Sequence, residues 1–397
     1  MVRKIRDMRY NIVILTGGSS PKIEMLSNGI PKSYIPILGR PLIRHILDGV
    51  SELNPENIII VSDRIEYAKA AVNDLIDIKN ITIAEQKEPG ILGAFRSIYK
   101  YLDERDDKIL IIYGDIIVNS SAYRSIISSA EEDLDKEDFG GVFLGVAEEP
   151  RKHHWLIESD EHGIIRSVMP KTVEREGYIA GGIYFVKKDF IEYALTKEEV
   201  HEVFNTYVKR WRVKLLHWGH YWVDIGSPWD LLHAVYAMLN ELRVSRISFN
   251  AKISGNVTIE GPVIIEDGAE IDHFTIIRGP VYIGRKVFIG AHSFIRNYSS
   301  LEEEVFISSY SEINRSFLMP RSTIGRNSYI GFSVAGVGSV IEPNVATKTL
   351  VQQAREEAYR IIRRGREYSK LGAVIYAGAR VVSGKIVEPG EEIEKEI

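Results

Sequence analysis

"VTIEGPVIIEDGAEIDHFTIIRGPVYIGRKVFIGAHSFI", residues 257–295, places an isoleucine at every sixth position. Stepping by six from Ile259 gives Ile265, Ile271, Ile277, Ile283, Ile289 and Ile295, and the step continues through Leu301, Ile307, Ile313 and Met319. A helix cannot keep a six-residue repeat on one face, and strand alternation alone would not single out each sixth residue. The period is that of a parallel β-helix of hexapeptide repeats, whose stacked coils share one apolar column. Small or β-branched residues two places earlier, among them Val257, Val263, Ala269 and Thr275, fill the adjacent inward position, and Gly261-Pro262 and Gly279-Pro280 mark corners. The register shifts by one near Ile324 and Ile330.

The repeat breaks over residues 346–370. Leu350, Ala354, Ala358, Ile361 and Ile362 have the spacing of an amphipathic helix, which predicts a helical insert near 350–368. Arg355, Arg360, Arg363, Arg364 and Arg366 give it a basic side, read as a solvated face, with an anion or a partner as the alternative. Residues 371–393 return to short β segments that form the last coil.

Before the repeats the pattern is different. The runs at 10–15, 57–62, 81–85 and 108–113 are short, apolar and bounded by turn residues, as strands buried on both faces are. Helical spacing fills the gaps at 41–53, 66–77 and 94–104. Alternating strands and helices predict an α/β fold with a mostly parallel, Rossmann-like sheet. Two domains follow, 1–243 and 244–397, as a chain of 397 residues also favours. Ligands of such sheets bind beyond the carboxyl ends of the strands, which directs attention to the loops after Leu15 and Tyr113.

Composition narrows the classes. A net charge of -5 leaves no electrostatic footprint for nucleic acid or an acidic membrane surface. No apolar run of transmembrane length and no signal-peptide core occurs, which predicts a cytoplasmic protein. Cysteine is absent, excluding disulfides, thiolate metal sites and a cysteine nucleophile. Abundant Glu, Lys and Arg fit a thermophile.

The first strand ends at Thr16-Gly17-Gly18, where glycines let backbone N–H groups turn toward phosphate oxygens, with Lys22 and Lys32 adding positive charge. A plain strand-to-helix turn explains the same glycines equally well. Asp115 follows the strand "LIIY", where Gly-Asp is equally well an ordinary turn, and Asp224 precedes Gly226-Ser227-Pro228. Ser227 is a good N-cap and Pro228 a good first helical residue, so Asp224 is not needed as a cap. Two carboxylates on separate loops, with lysines, are what Mg²⁺-dependent phosphoryl or nucleotidyl transfer uses.

With "GIPKSYIPILGRPLI" (29–43), "GD" (114–115), "AGGIYFV" (180–186), "WVDIGSPWDLL" (222–232) and "KLGAVI" (370–375), the chain resembles the sugar-1-phosphate nucleotidyltransferases. The match extends over nearly the whole chain and is best to archaeal two-domain members with a C-terminal left-handed β-helix, a group that includes bifunctional nucleotidyltransferase/acetyltransferases. The resemblance implies attack of a sugar-1-phosphate oxygen on the α-phosphorus of a nucleoside triphosphate, with release of pyrophosphate and formation of a nucleoside-diphosphate sugar. It implies that Asp115 and Asp224 hold Mg²⁺ and that Lys32 contacts phosphate. Gly17, Gly18, Gln86 and Gly90 would line the nucleotide, and Lys171 and Gly182 the sugar phosphate. It also implies assembly through the β-helix, a homotrimer being favoured, or a hetero-oligomer with an active paralogue.

Several positions depart from the family pattern. Its Gly-x-Gly-Thr-Arg loop appears here with Ser20 for the second Gly and Lys22 for Arg, and Lys cannot reproduce a bidentate guanidinium fork. The Glu of Glu-Lys-Pro is Pro170, the Asn before the sugar-site Gly is Ala180, and a Tyr-Gly pair falls at His154-Trp155, putting an indole where the sugar needs room. The acetyltransferase His and Tyr fall at Arg315 and Leu318; an Arg stays protonated and cannot be a general base, so acetyl transfer is not expected. His273 and His292 read as corner residues of the repeats. These departures keep a second reading open: a catalytically inactive regulatory or scaffold paralogue that binds nucleotide or sugar nucleotide beside an active relative.

Overall fold

A computed structural model describes residues 8–73, 75, 80–103, 107–134, 136–148, 151, 154–170, 177–352, 355, 357–363 and 366–397. The chain separates into two compact units, one of residues up to 18 with 42–222, the other of residues 19–41 with 223–397. This differs from a single division at 243: the segment after the first strand and the last helix of the α/β region are grouped with the β-helix.

The first unit is built on a nine-stranded sheet. Its strands are β1 (Asn11–Leu15), β2 (Ile58–Ser62), β3 (Ile81–Glu85), β4 (Lys108–Tyr113), β5 (Phe139–Val146), β6 (Trp155–Ser159), β7 (Ile165–Pro170), β8 (Tyr178–Lys187) and β9 (Arg212–Trp218). The order β3-β2-β1-β4 is parallel throughout, with Leu15 opposite both Val61 and Tyr113. Antiparallel β8 then joins β4 to β5 and β6, and β9 lies parallel to β5. β1 and β2 are buried along their whole length, which is why they read as unbroken apolar runs. Phe95, Phe143, Tyr184, Phe190, Phe204 and Tyr207 meet edge-to-face at centroid distances of 4.9–6.4 Å on one side of the sheet.

The second unit is a left-handed β-helix with three parallel sheets of eight, seven and seven strands. The six-residue step distributes its isoleucines over the three sheets in turn, so that like positions stack every eighteen residues: Ile259 on Ile277, Ile295 and Ile313, and Ile265 on Ile283 and Leu301. All converge on one interior. The column leaves Met319 aside, because Leu301 stacks on Leu318 and Ile307 on Ile324. The coil loses one residue at the Arg315 corner, one step earlier than the sequence pattern suggests. Non-glycine corner residues Phe274, His292, Tyr298, Tyr310 and Arg315 take φ between 47° and 65°. His292 lies stacked between Phe274 and Tyr310, at 4.9 and 5.0 Å, as a corner residue.

The helical insert is corrected. Tyr359–Arg363 and Arg366–Lys370 pair antiparallel as a β-hairpin, with Tyr359 opposite Lys370. Tyr359 stacks on His233 at 4.5 Å, and Ile361 is half-buried while Arg360 and Ile362 are exposed, an alternation of period two. β-branched and aromatic residues favour a strand over the helix that Leu350, Ala358 and Ile361 alone would allow. Ala354 and Arg364 lie outside the described residues. No described helix is long and apolar enough to cross a membrane.

Candidate active site

In the first unit, the parallel strands deliver several candidates to one edge of the sheet. β1 runs into Thr16-Gly17-Gly18, and Thr16 donates from both its N–H (2.8 Å) and Oγ1 (2.9 Å) to the Val61 carbonyl at the end of β2. Gly114 N–H donates to the Leu15 carbonyl at 2.7 Å, so the turn carrying Asp115 lies beside the end of β1. Gln86 N–H donates to the Ser62 carbonyl at 2.9 Å, carrying the edge on to β3. The sheet thus brings Gly17, Gly18, Gln86 and Asp115 together, at the carboxyl ends where ligands of open α/β sheets bind.

Gln86 is 7% exposed. Its Nε2 donates to the carbonyls of Glu88 (2.8 Å) and Gly90 (2.9 Å), which fixes the amide orientation, since reversing it would set oxygen against two oxygens. Its buried Oε1 has no hydrogen-bond partner among the described residues, and a Cβ on Gly17 would lie 2.1 Å from it. Gly17 is therefore glycine to admit Gln86. Gly18, at φ 106°, and Gly90, at φ 79° as the first residue of the helix Gly90–Ile98, face open space and need glycine for their backbone conformation.

Gly182, in β8, has φ 71°, and a Cβ there would lie 2.1 Å from Ile116 Cδ1 and 3.2 Å from Tyr113, so its environment already requires glycine. Trp155 is the first residue of β6. Its indole packs toward Phe204 at 6.3 Å, within the aromatic core, while the preceding His154 meets Trp222 at 5.6 Å. Adjacent residues at a strand's start point to opposite sides, so His154 and Trp155 face opposite ways. Pro170 pairs with Trp155 at the strand edge, and Ala180 with Gly145. Lys171 lies outside the described residues.

The second unit carries Lys22, Lys32 and Asp224. Lys32 is half-buried at the start of the short 3₁₀ turn Lys32–Tyr34. Asp224 ends the strand Trp222–Asp224, and the next helix, Pro228–Asn240, is capped without it. Asp230 accepts the N–H groups of Gly226 (3.1 Å) and Ser227 (2.7 Å) and the Ser227 hydroxyl (2.9 Å), as the Ser-Pro pattern predicts. Lys22 is paired within its own unit. Its ammonium is held by Glu392 at 2.7 and 3.0 Å, and Tyr376 donates to the same carboxylate at 2.7 Å. Burial raises the Glu392 carboxyl, and the hydrogen bonds from Lys22 and Tyr376 bring it below its ordinary range. Glu392 is 370 residues from Lys22, so no local sequence signal could have named it.

On the β-helix, the Arg315 guanidinium lies over the rings of Tyr298, Tyr236 and Phe332, at 4.8, 5.3 and 5.9 Å. The position is a cation held by aromatic faces. Among the described residues no three His, Cys, Asp or Glu side chains gather as a metal centre. A Mg²⁺ site needs fewer, since Mg²⁺ takes one or two carboxylates with substrate phosphates and water.

The family described as Nucleotidyl transferase matches residues 11–241, and that of the bacterial transferase hexapeptide, in six repeats, matches 262–297. The chain is 32% identical over 352 residues to the bifunctional protein GlmU of Methanocaldococcus jannaschii, covering 85% of this chain and 80% of that one. It is 29% identical over 396 residues to a bifunctional sugar-1-phosphate nucleotidylyltransferase/acetyltransferase of Sulfurisphaera tokodaii, covering 96% and 93%. A crystal structure of HddC from Yersinia pseudotuberculosis aligns with a TM-score of 0.44 at 24% identity, over 57% of this chain and 97% of that one. The chain belongs to the nucleotidyl transferase family, as a two-domain member that continues into a hexapeptide-repeat β-helix.

Proposed function

We propose that this transferase moves a nucleotidyl group from a nucleoside triphosphate to a sugar-1-phosphate. A phosphate oxygen of the sugar-1-phosphate forms a bond to the α-phosphorus, and the bond from that phosphorus to the bridging oxygen of pyrophosphate breaks. The observation that carries the reading is the shared sheet edge: Gly17-Gly18, Asp115 and the unmatched Gln86 oxygen lie together where β1, β3 and β4 end. Such a reaction needs no covalent intermediate, so positioning and charge neutralisation supply the catalysis. Gln86 would accept a hydrogen bond from the base, the Gly17-Gly18 backbone would meet phosphate oxygens, and Lys32 would neutralise phosphate. Asp115 and Asp224 are the carboxylates proposed to hold Mg²⁺, which supplies charge for the departing pyrophosphate. Acetyl transfer is not part of the proposal, because Arg315 cannot serve as a base.

The salt bridge of Lys22 to Glu392 favours a second reading, a non-catalytic paralogue that binds nucleotide and assembles with an active relative. Assembly of the β-helices, as a homotrimer or with that relative, is proposed under both readings. The exposed stack of Phe274 and Tyr310 about His292 is an apolar stripe of the kind that interfaces cover. The deciding experiment is pyrophosphate release with Mg²⁺ across nucleoside triphosphates and sugar-1-phosphates, with Asp115→Ala as control. Turnover that disappears in the variant supports transfer, and silence across the panel with nucleotide still bound supports the paralogue.

A further inference from the structure

Glu302 lies on the β-helix with no exposed surface, and among the described residues no ammonium or guanidinium pairs with it. The stacked position one coil on is Met319, also fully buried, and one coil back it is Gly284, so neither stacked neighbour pairs with the carboxylate. A buried carboxylate needs specific compensation. That compensation comes from the amides of Leu38 and Gly39 together with Ser300. Oε1 accepts the N–H of Leu38 (3.0 Å) and the Ser300 hydroxyl (2.6 Å), and Oε2 accepts the N–H of Gly39 (2.8 Å).

The hairpin it holds is short: Pro36 pairs with Pro41 and Ile37 with Arg40. Leu38 and Gly39 take φ of 48° and 77°, a two-residue turn whose amides point outward and require an acceptor. Gly39 is also pressed against Tyr282, whose hydroxyl would lie 2.0 Å from a Cβ at that position. From this turn the chain back to Lys32 is buried at Ile37, Ile35, Tyr34 and Ser33, and Ile35 N–H closes on the Lys32 carbonyl at 3.3 Å. A displacement at the turn has little slack to absorb it before Lys32.

We propose that Glu302 is a positioning residue for nucleotidyl transfer: by accepting both amides of the 38–39 turn, it sets the backbone that carries Lys32. This role rests on the nucleotidyl-transfer reading above. It makes the β-helix part of the triphosphate machinery and distinguishes Glu302 from a residue that only stabilises its own coil.

The test uses the full chain, as wild type, Glu302→Ala and Glu302→Gln, with the substrate pair that the pyrophosphate panel identifies. In Glu302→Ala the KM for the nucleoside triphosphate rises about tenfold, in line with the steep cost of small misplacements. The KM for the sugar-1-phosphate stays within about twofold, and amides of residues 31–41 exchange faster with deuterium. Glu302→Gln keeps one acceptor oxygen and recovers part of the loss. A merely structural role lowers the folded fraction and with it the apparent kcat, but leaves KM unchanged; that pattern overturns the proposal. Should Glu302→Ala fail to fold, an unchanged triphosphate KM in Glu302→Gln overturns it equally. If the wild type releases no pyrophosphate, the nucleotidyl-transfer reading falls and this role with it, whereas wild-type turnover with unaltered KM in the variants removes Glu302 alone.

Discussion

The ammonium of Lys22 sits 2.7 and 3.0 Å from the two carboxylate oxygens of Glu392, in the last strand of the β-helix. A lysine expected at the triphosphate is thus engaged from the far end of the sequence. Any phosphate that recruits Lys22 must draw it from Glu392.

Replacing Glu392 by Gln releases that competition. Lys22 is more than half exposed, so the pair contributes under ~1 kcal/mol to stability and the melting temperature changes little. The triphosphate KM falls, by up to about fivefold on the same scale. Because the folded-state carboxyl lies below its ordinary value, the pair's contribution is present above about pH 4.5 and is lost as pH falls through the lowered value. Steady-state kinetics decides it: a KM that stays put in Glu392→Gln means that Lys22 takes no part in binding triphosphate.

Glu302 has the opposite sign. Burial raises its carboxyl to about 7, against the hydrogen bonds from Ser300, Gly39 and Leu38, while Glu266 adds to the rise. Tyr282, itself pushed upward by burial, lies among Glu302, Glu266, Arg285 and Glu303. The folded state therefore holds this proton more tightly than the unfolded chain, and stability falls as pH rises from about 4.5 through about 7. At ~1.4 kcal/mol per pKa unit the decline is on the order of 3 kcal/mol. Denaturant unfolding at pH 5 and pH 8 measures it, and the decline should vanish in Glu302→Gln.

The repeats were legible because each coil obeys the same geometry, so one six-residue period names Ile259 through Ile313 without knowledge of the remainder. The period failed at Met319, where a corner shortened at Arg315 moves the column to Leu318. The shift itself shows in the sequence at Ile324 and Ile330, but its place at the Arg315 corner shows only in how coils stack. The insert failed for a related reason: Leu350, Ala358 and Ile361 suit a helix by spacing, while Tyr359 stacking on His233 decides for a strand. The places of Gly17 and Asp115 at strand ends were legible from the apolar runs before them. The partners of Lys22 and of the 38–39 turn were not, because Glu392 and Glu302 are hundreds of residues away and carry no local mark.

Gly182→Ala separates packing from sugar binding. The added methyl meets Ile116 at 2.1 Å and must accept φ 71°, which together cost about 1–3 kcal/mol. Ile116→Ala relieves the collision, though not the backbone strain, so the double variant regains part of the melting temperature. If Gly182 also leaves space for the sugar, the sugar-1-phosphate KM stays elevated after stability returns. Recovery of both together assigns Gly182 to packing alone.

Gln86 gives the sharpest test of base recognition. Both of its amide hydrogens are committed to the carbonyls of Glu88 and Gly90, and Oε1, buried and without a hydrogen-bond partner among the described residues, is the atom proposed to meet a base. A Glu at this position would set an oxygen against those carbonyls and leave them unmatched, costing about 1–3 kcal/mol. Gln86→Leu removes the acceptor and replaces it with a side chain that cannot read a base. Calorimetric titration of the four common nucleoside triphosphates should show a preference in the wild type that flattens in Gln86→Leu, by about 1 kcal/mol for one hydrogen bond. If affinity falls equally for all four, Gln86 holds the 86–90 loop and the base is read elsewhere.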